Sequence, residues 1–112
     1  MIVFNRKAFC LVVVALMSSS VNAWDGTTTG HIRTIDVTSG NNYGFRVSLE
    51  GVPALCGNSH TWAFLNDTDS NYQTYISVLL AAKAAKMTVT LFTTRVNAAP
   101  DGYCKIGYIS VN

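Results

Sequence analysis

The sequence predicts a mainly β domain with one helix, in the β-β-β-α-β-β order of a five-stranded OB-type barrel. Short runs of alternating or β-branched residues recur along a chain of 112 residues, and one alanine-rich stretch of helical character interrupts them after the third run. Two cysteines, Cys56 and Cys104, are spaced to tie the middle of the chain to its end. The alternative architecture is an α+β fold in which the helix covers one face of an open antiparallel sheet.

The first 23 residues read separately from the rest. Arg6 and Lys7 precede an apolar run of about ten residues at 8–17, then three serines and Val21-Asn22-Ala23, the order of parts in a secretory signal peptide. A spanning helix needs roughly 20 apolar residues, so the run is short for an anchor. Cleavage is expected between Ala23 and Trp24. Cys10 lies near the start of the run, whereas a lipid-anchoring cysteine follows it. The expected product is therefore one OB-like domain at 24–112, secreted or periplasmic, with no membrane span. Setting aside Arg6 and Lys7 leaves six basic and six acidic residues, a formal charge of zero. Such a chain has no contiguous track for phosphates, which excludes a dedicated nucleic-acid binder.

Residues 24–30 look loosely attached. At 31–37 the sequence HIRTIDV is β-branched but breaks alternation, because Ile32 falls on one face and Ile35 and Val37 on the other; a bulged strand accommodates this. Ser39-Gly40-Asn41-Asn42 is a turn cluster. It leads into a clean alternation, with Tyr43, Phe45, Val47 and Leu49 on one face of a half-buried strand. Gly51, Pro53 and Gly57 break the pattern around Cys56. A third strand follows at 60–65, with His60, Trp62 and Phe64 on one side.

The polar turn at 66–70 ends in Ser70, and Gln73 three residues later completes a capping-box pattern for a helix running to about Lys86. Tyr72, Tyr75, Ile76, Leu79 and Leu80 give that helix a wide apolar face. Lys83 and Lys86 suit its carbonyl end. A fourth strand is expected at 87–94, where Thr content favours β structure. Pro100-Asp101-Gly102 is a turn, and 103–111 supplies the fifth strand. An even pair of cysteines in an oxidising compartment predicts the disulfide Cys56–Cys104.

A secretory leader, Trp24 at the start of the product, three strands with a cysteine before the third, the helix YQTYISVLLAAKAAK and the closing DGYCKIGYISV together resemble the subtilase-cytotoxin and pertussis-like toxin B subunits. The resemblance covers 24–112. It implies a secreted OB fold, assembly into a ring of five, recognition of cell-surface glycans and a separate catalytic subunit.

Catalytic chemistry has no motif here. The histidines have neither zinc-site nor hydrolase spacing, pairing would leave no free thiolate, and no serine sits in a nucleophile elbow. Asp67 and Asp69 lack the other ligands of a calcium loop and read as capping groups. A non-enzyme without metal or cofactor is expected. A sugar site needs flat rings and short polar groups. Under the toxin-like reading it would lie near the second strand and its loops, making Ser39, Asn41, Asn42, Tyr43, Arg46 and Trp62 the candidate ligand-binding residues. The expected partners are a glycan or an extracellular protein, with a homo-oligomer as a further expectation. The alternative function is a small periplasmic structural or interaction protein, an inhibitor or accessory subunit, without glycan binding.

Overall fold

The computed structural model describes residues 23–112. The expected leader therefore lies outside the described residues except for Ala23. Six strands and one helix follow: β1 (Gly26–Gly30), β2 (Ile32–Val37), β3 (Phe45–Leu49), β4 (Ala63–Leu65), α1 (Tyr72–Ala84), β5 (Val89–Arg95) and β6 (Cys104–Val111), with a 3-10 turn at Val96–Ala98 between the last two. They form one mixed sheet in the order β1-β5-β6-β4-β3-β2. All neighbours are antiparallel except β4 and β6. The sheet curls into an open half-barrel, and α1 packs against it.

This corrects the expected architecture on two points. The sheet has six strands with β1 and β2 as its edges, so it is not a closed five-stranded barrel. The alternative of an open antiparallel sheet is also modified, because β4 and β6 run parallel. The reason lies in residues 26–31. Gly26–Gly30 is not loosely attached but pairs with β5 over its whole length. His31 alone separates it from β2, which pairs instead with β3. One bent segment thus supplies both edges.

Inward residues of the central strands make the core: Val47 and Leu49 from β3, Ala63 and Leu65 from β4, Val89 and Leu91 from β5, and Cys104 and Ile106 from β6. The bulge expected in β2 occurs between Ile32 and Thr34, which lets Ile32 turn into the core. A second irregularity between Phe92 and Thr93 shifts the β5–β6 register. It lets Thr93 enter the core, where its hydroxyl donates to the Leu55 carbonyl.

Helix α1 buries Leu79 and Ala82 and rests Tyr72, Tyr75 and Ile76 against the sheet. Removing a buried leucine such as Leu79 costs about 2–5 kcal/mol. The expected capping box does not form: Asn71, not Ser70, occupies the N-cap in a left-handed conformation and gives no side-chain cap. The turn uses Asp69 instead, whose Oδ2 accepts from the Asn66 amide at 2.8 Å. The helix ends at Ala84 rather than Lys86, and Lys86 takes a left-handed φ of 56° that stops it. No helix among the described residues is long and apolar enough to cross a membrane.

Candidate functional site

The most distinctive surface is built by four chain segments, each with its own reason for being there. The first is the 39–44 turn. Its tightness depends on Gly44, where a Cβ would lie 2.4 Å from the Ser39 carbonyl oxygen. It ends in Tyr43, which has left the alternating strand and adopts φ 53°. A left-handed tyrosine is unfavourable and needs support from its surroundings. Two neighbours provide it: Asn66 Oδ1 accepts from the Tyr43 amide at 2.7 Å, and Arg46 Nε donates to the Tyr43 carbonyl at 2.8 Å. Arg46 also donates through Nη2 to the Asn42 carbonyl at 3.2 Å.

The second segment is β4 with the residues before it. The register of β3 sets Arg46 opposite Phe64. Phe64 is 1% exposed, and the Tyr43 ring meets it edge-on at 4.6 Å. Trp62 lies 6.5 Å from Phe64, with the Arg46 guanidinium 4.7 Å from its ring centroid. A cation held over a tryptophan face contributes about 0.5–1 kcal/mol at an exposed position.

The remaining segments, 56–60 and 100–104, are tied by the disulfide Cys56–Cys104, which the sequence predicted and the structure contains. Asn58 doubles the tie, donating from Nδ2 to the Gly102 carbonyl at 2.8 Å and the Pro100 carbonyl at 3.2 Å. Its Oδ1 accepts from the His60 amide at 3.0 Å, and His60 Nε2 donates to the Asp101 carbonyl at 2.9 Å. These bonds set Tyr103 at the centre of the group. Its ring lies 4.9 Å from His60, 5.0 Å from Trp62 and 5.1 Å from Tyr43. Tyr103 remains 39% exposed. The surface is thus an aromatic platform with buried Phe64 beneath it and polar loops around it.

Of the candidate residues, Tyr43, Arg46 and Trp62 come together in this platform, and Asn42 joins through its carbonyl. Ser39 serves the turn, its carbonyl accepting from the Asn42 amide at 3.0 Å. Asn41 is exposed on the same turn, and no side-chain hydrogen bond of Asn41 links it to the rings. Tyr103, His60, Phe64 and Asn58 were absent from the set. Pairing of Cys56 with Cys104 carries the signal for them, because it brings the residues after one cysteine beside the residue before the other.

Comparison with protein-family models, with curated proteins and with solved structures finds no match for this chain. The site is therefore read from its own chemistry.

The carboxylates and histidines are dispersed over the fold. Glu50 stands 4.0 Å from His31 at the far end of β3, Asp36 faces Arg46 across the β2–β3 ladder, and His60 is tied to the 101 carbonyl. Asp67 and Asp69 sit in the turn before α1, where Asp69 also pairs with Lys105 at 3.2 Å. Among the described residues, no group of three or more His, Cys, Asp or Glu could hold a metal ion. One carboxyl is clearly perturbed. Asp25 Oδ2 accepts from the Arg95 amide, which together with the Arg95 guanidinium at 3.3 Å holds the Asp25 pKa below the usual carboxylate value.

Proposed function

We propose that the chain is an exported, non-catalytic interaction module that recognises an extracytoplasmic partner through the platform of Tyr43, Trp62 and Tyr103. The observation that carries this reading is the convergence of four segments, two of them cross-linked, on a partly exposed ring cluster. Aromatic residues supply large contact area at low entropic cost, and preorganisation reduces the ordering that binding would otherwise require. The left-handed Tyr43, held at both its amide and its carbonyl, is a further sign that the arrangement is maintained for use. An inhibitor or an accessory subunit is the form this reading takes.

A second reading is a glycan ligand. Flat rings beside Asn42, Arg46 and Asn66 are the composition a sugar site needs, and the toxin B-subunit resemblance points the same way. A homo-oligomer, five-membered if toxin-like, belongs to this second reading, and light scattering on the oxidised protein tests it.

One experiment separates the readings. Wild type and Tyr103→Ala are screened on a glycan array and on a displayed peptide library. The proposal expects a ligand from the peptide library that Tyr103→Ala loses while the variant stays folded by circular dichroism. Loss confined to glycans selects the second reading, and ligands bound equally by the variant overturn both.

A further inference from the structure

Beside the aromatic platform lies a depression of about 530 Å³, walled by Ser59 and His60 on one side and by Asn97, Asp101 and Tyr103 on the other. That volume is within the range of small-ligand pockets. Four observations define what it accepts. Asp101 is one of its lining residues, and among the described residues its carboxylate makes no ion pair. No lysine or arginine lines the depression. The basic residues that flank its segments in sequence are already engaged, Arg95 with Asp25 and Lys105 with Asp69. Tyr103 adds an aromatic ring to the lining, and the adjoining cluster already holds the Arg46 guanidinium over Trp62.

The wall is also preformed. Asn97 and Ala98 hold left-handed φ angles of 57° and 55°. Backbone bonds from Ala99 to the Val96 carbonyl and from Gly102 to the Ala99 carbonyl fix that turn. A Cβ on Gly102 would lie 2.7 Å from the Val96 carbonyl oxygen, so the chain packs closely there. Backbone strain held by close packing gathers at ligand sites more often than elsewhere.

We infer that this depression receives the ammonium or guanidinium end of a lysine or arginine side chain from a partner polypeptide, with Asp101 pairing the charge and Tyr103 covering its stem. The inference rests on the reading of the chain as an interaction module and specifies the chemistry of its partner. A carboxylate beside aromatic rings favours a cation through both charge pairing and the ring quadrupole. An anionic ligand would meet Asp101 without a lining lysine or arginine to offset it.

The test is an NMR titration of the isotope-labelled, oxidised protein with three blocked tripeptides: glycyl-arginyl-glycine, glycyl-lysyl-glycine and glycyl-glutamyl-glycine. The basic peptides are expected to shift the amides of Ser59, Asp101, Gly102 and Tyr103 saturably, and the acidic one is not. Asp101→Asn preserves the turn chemistry and should weaken basic-peptide binding about two- to fivefold, the range for an exposed charge pair. Tyr103→Leu should weaken it by a similar factor through the lost ring. Equal response to the acidic peptide, unchanged affinity in Asp101→Asn, or no saturable shift with any peptide overturns the inference. If the basic peptides fail while Tyr103→Ala still loses a ligand from the array or library, only the cation assignment falls. If neither assay finds a ligand, the interaction reading falls with it.

Discussion

Removing the disulfide with the double substitution Cys56→Ala and Cys104→Ala should cost about 4 kcal/mol of unfolding free energy. The two cysteines are separated by 48 positions. In the chain-entropy model, closing a loop of that length removes roughly 14 cal/mol/K from the unfolded ensemble, or about 4 kcal/mol at room temperature. Small domains have only about 5–15 kcal/mol of net stability, so the variant should sit near the lower edge of folding. The local arrangement should outlast the global loss. Asn58 joins the same two segments through the Pro100 and Gly102 carbonyls, so the rings of Trp62 and Tyr103 stay together while the variant is folded. Urea unfolding by circular dichroism gives the free energy, and the near-ultraviolet band reports the aromatic group. Adding Asn58→Ala to the double variant should cost more than Asn58→Ala alone, because the two ties share one job. A loss below about 1 kcal/mol with an unchanged m-value would show that closing the loop takes little entropy from the unfolded state, contrary to this expectation.

Three other outcomes follow from particular contacts. Asn66→Ala removes the acceptor for the Tyr43 amide and should destabilise by about 1–3 kcal/mol, with the largest chemical-shift changes at Tyr43 and Tyr103. Gly26→Ala places a Cβ 1.8 Å from the Leu55 carbonyl oxygen, so β1 must shift; a drop in Tm and faster amide exchange in β1 and β5 are expected, and an unchanged Tm would contradict the close packing. Because the Asp25 pKa is lower in the folded state, its contribution is fully present above the ordinary carboxylate value and is lost as pH falls through the depressed one. Asp25→Asn should therefore flatten the acid limb of the stability curve measured by urea unfolding from neutral to strongly acidic pH.

The parts legible in the sequence were those where side-chain period and burial agree. Phe45, Val47 and Leu49 alternate and are all buried, the bulge near Ile32 showed as a broken alternation, and the cysteine pair was readable from the even count left after the expected leader. Gly26–Gly30 was missed because GTTTG carries no apolar period; its place is fixed by backbone pairing to β5 and by the Leu55 carbonyl at Gly26, neither of which leaves a hydrophobic signature. Trp24 belongs to the same lesson. It lies against Phe92 and Tyr108 and covers Gly107, where a Cβ would meet its ring at 2.5 Å, but a lone aromatic residue before a threonine run reads as a tail.

The open sheet was misread for a related reason. Strand order depends on which neighbour each half of the bent 26–37 segment selects, and alternation within a strand does not encode that choice. At the platform, Tyr43, Arg46 and Trp62 were legible as a ring and polar composition. Tyr103 and His60 depended on spatial closure through Cys56 and Cys104, which sequence order conceals. The left-handed turn of Tyr43 also escaped, because its alternation with Phe45 marks it as an ordinary strand residue.

The stapled loops hold the ring platform in place before any partner arrives. Nitrogen-15 relaxation of the oxidised, ligand-free protein measures this directly at Asn42, Tyr43, His60, Trp62, Asp101 and Tyr103. Backbone order parameters near 0.85 are expected at these residues, the level of rigid secondary structure. Values below about 0.6 there, with the strands themselves rigid, would contradict it.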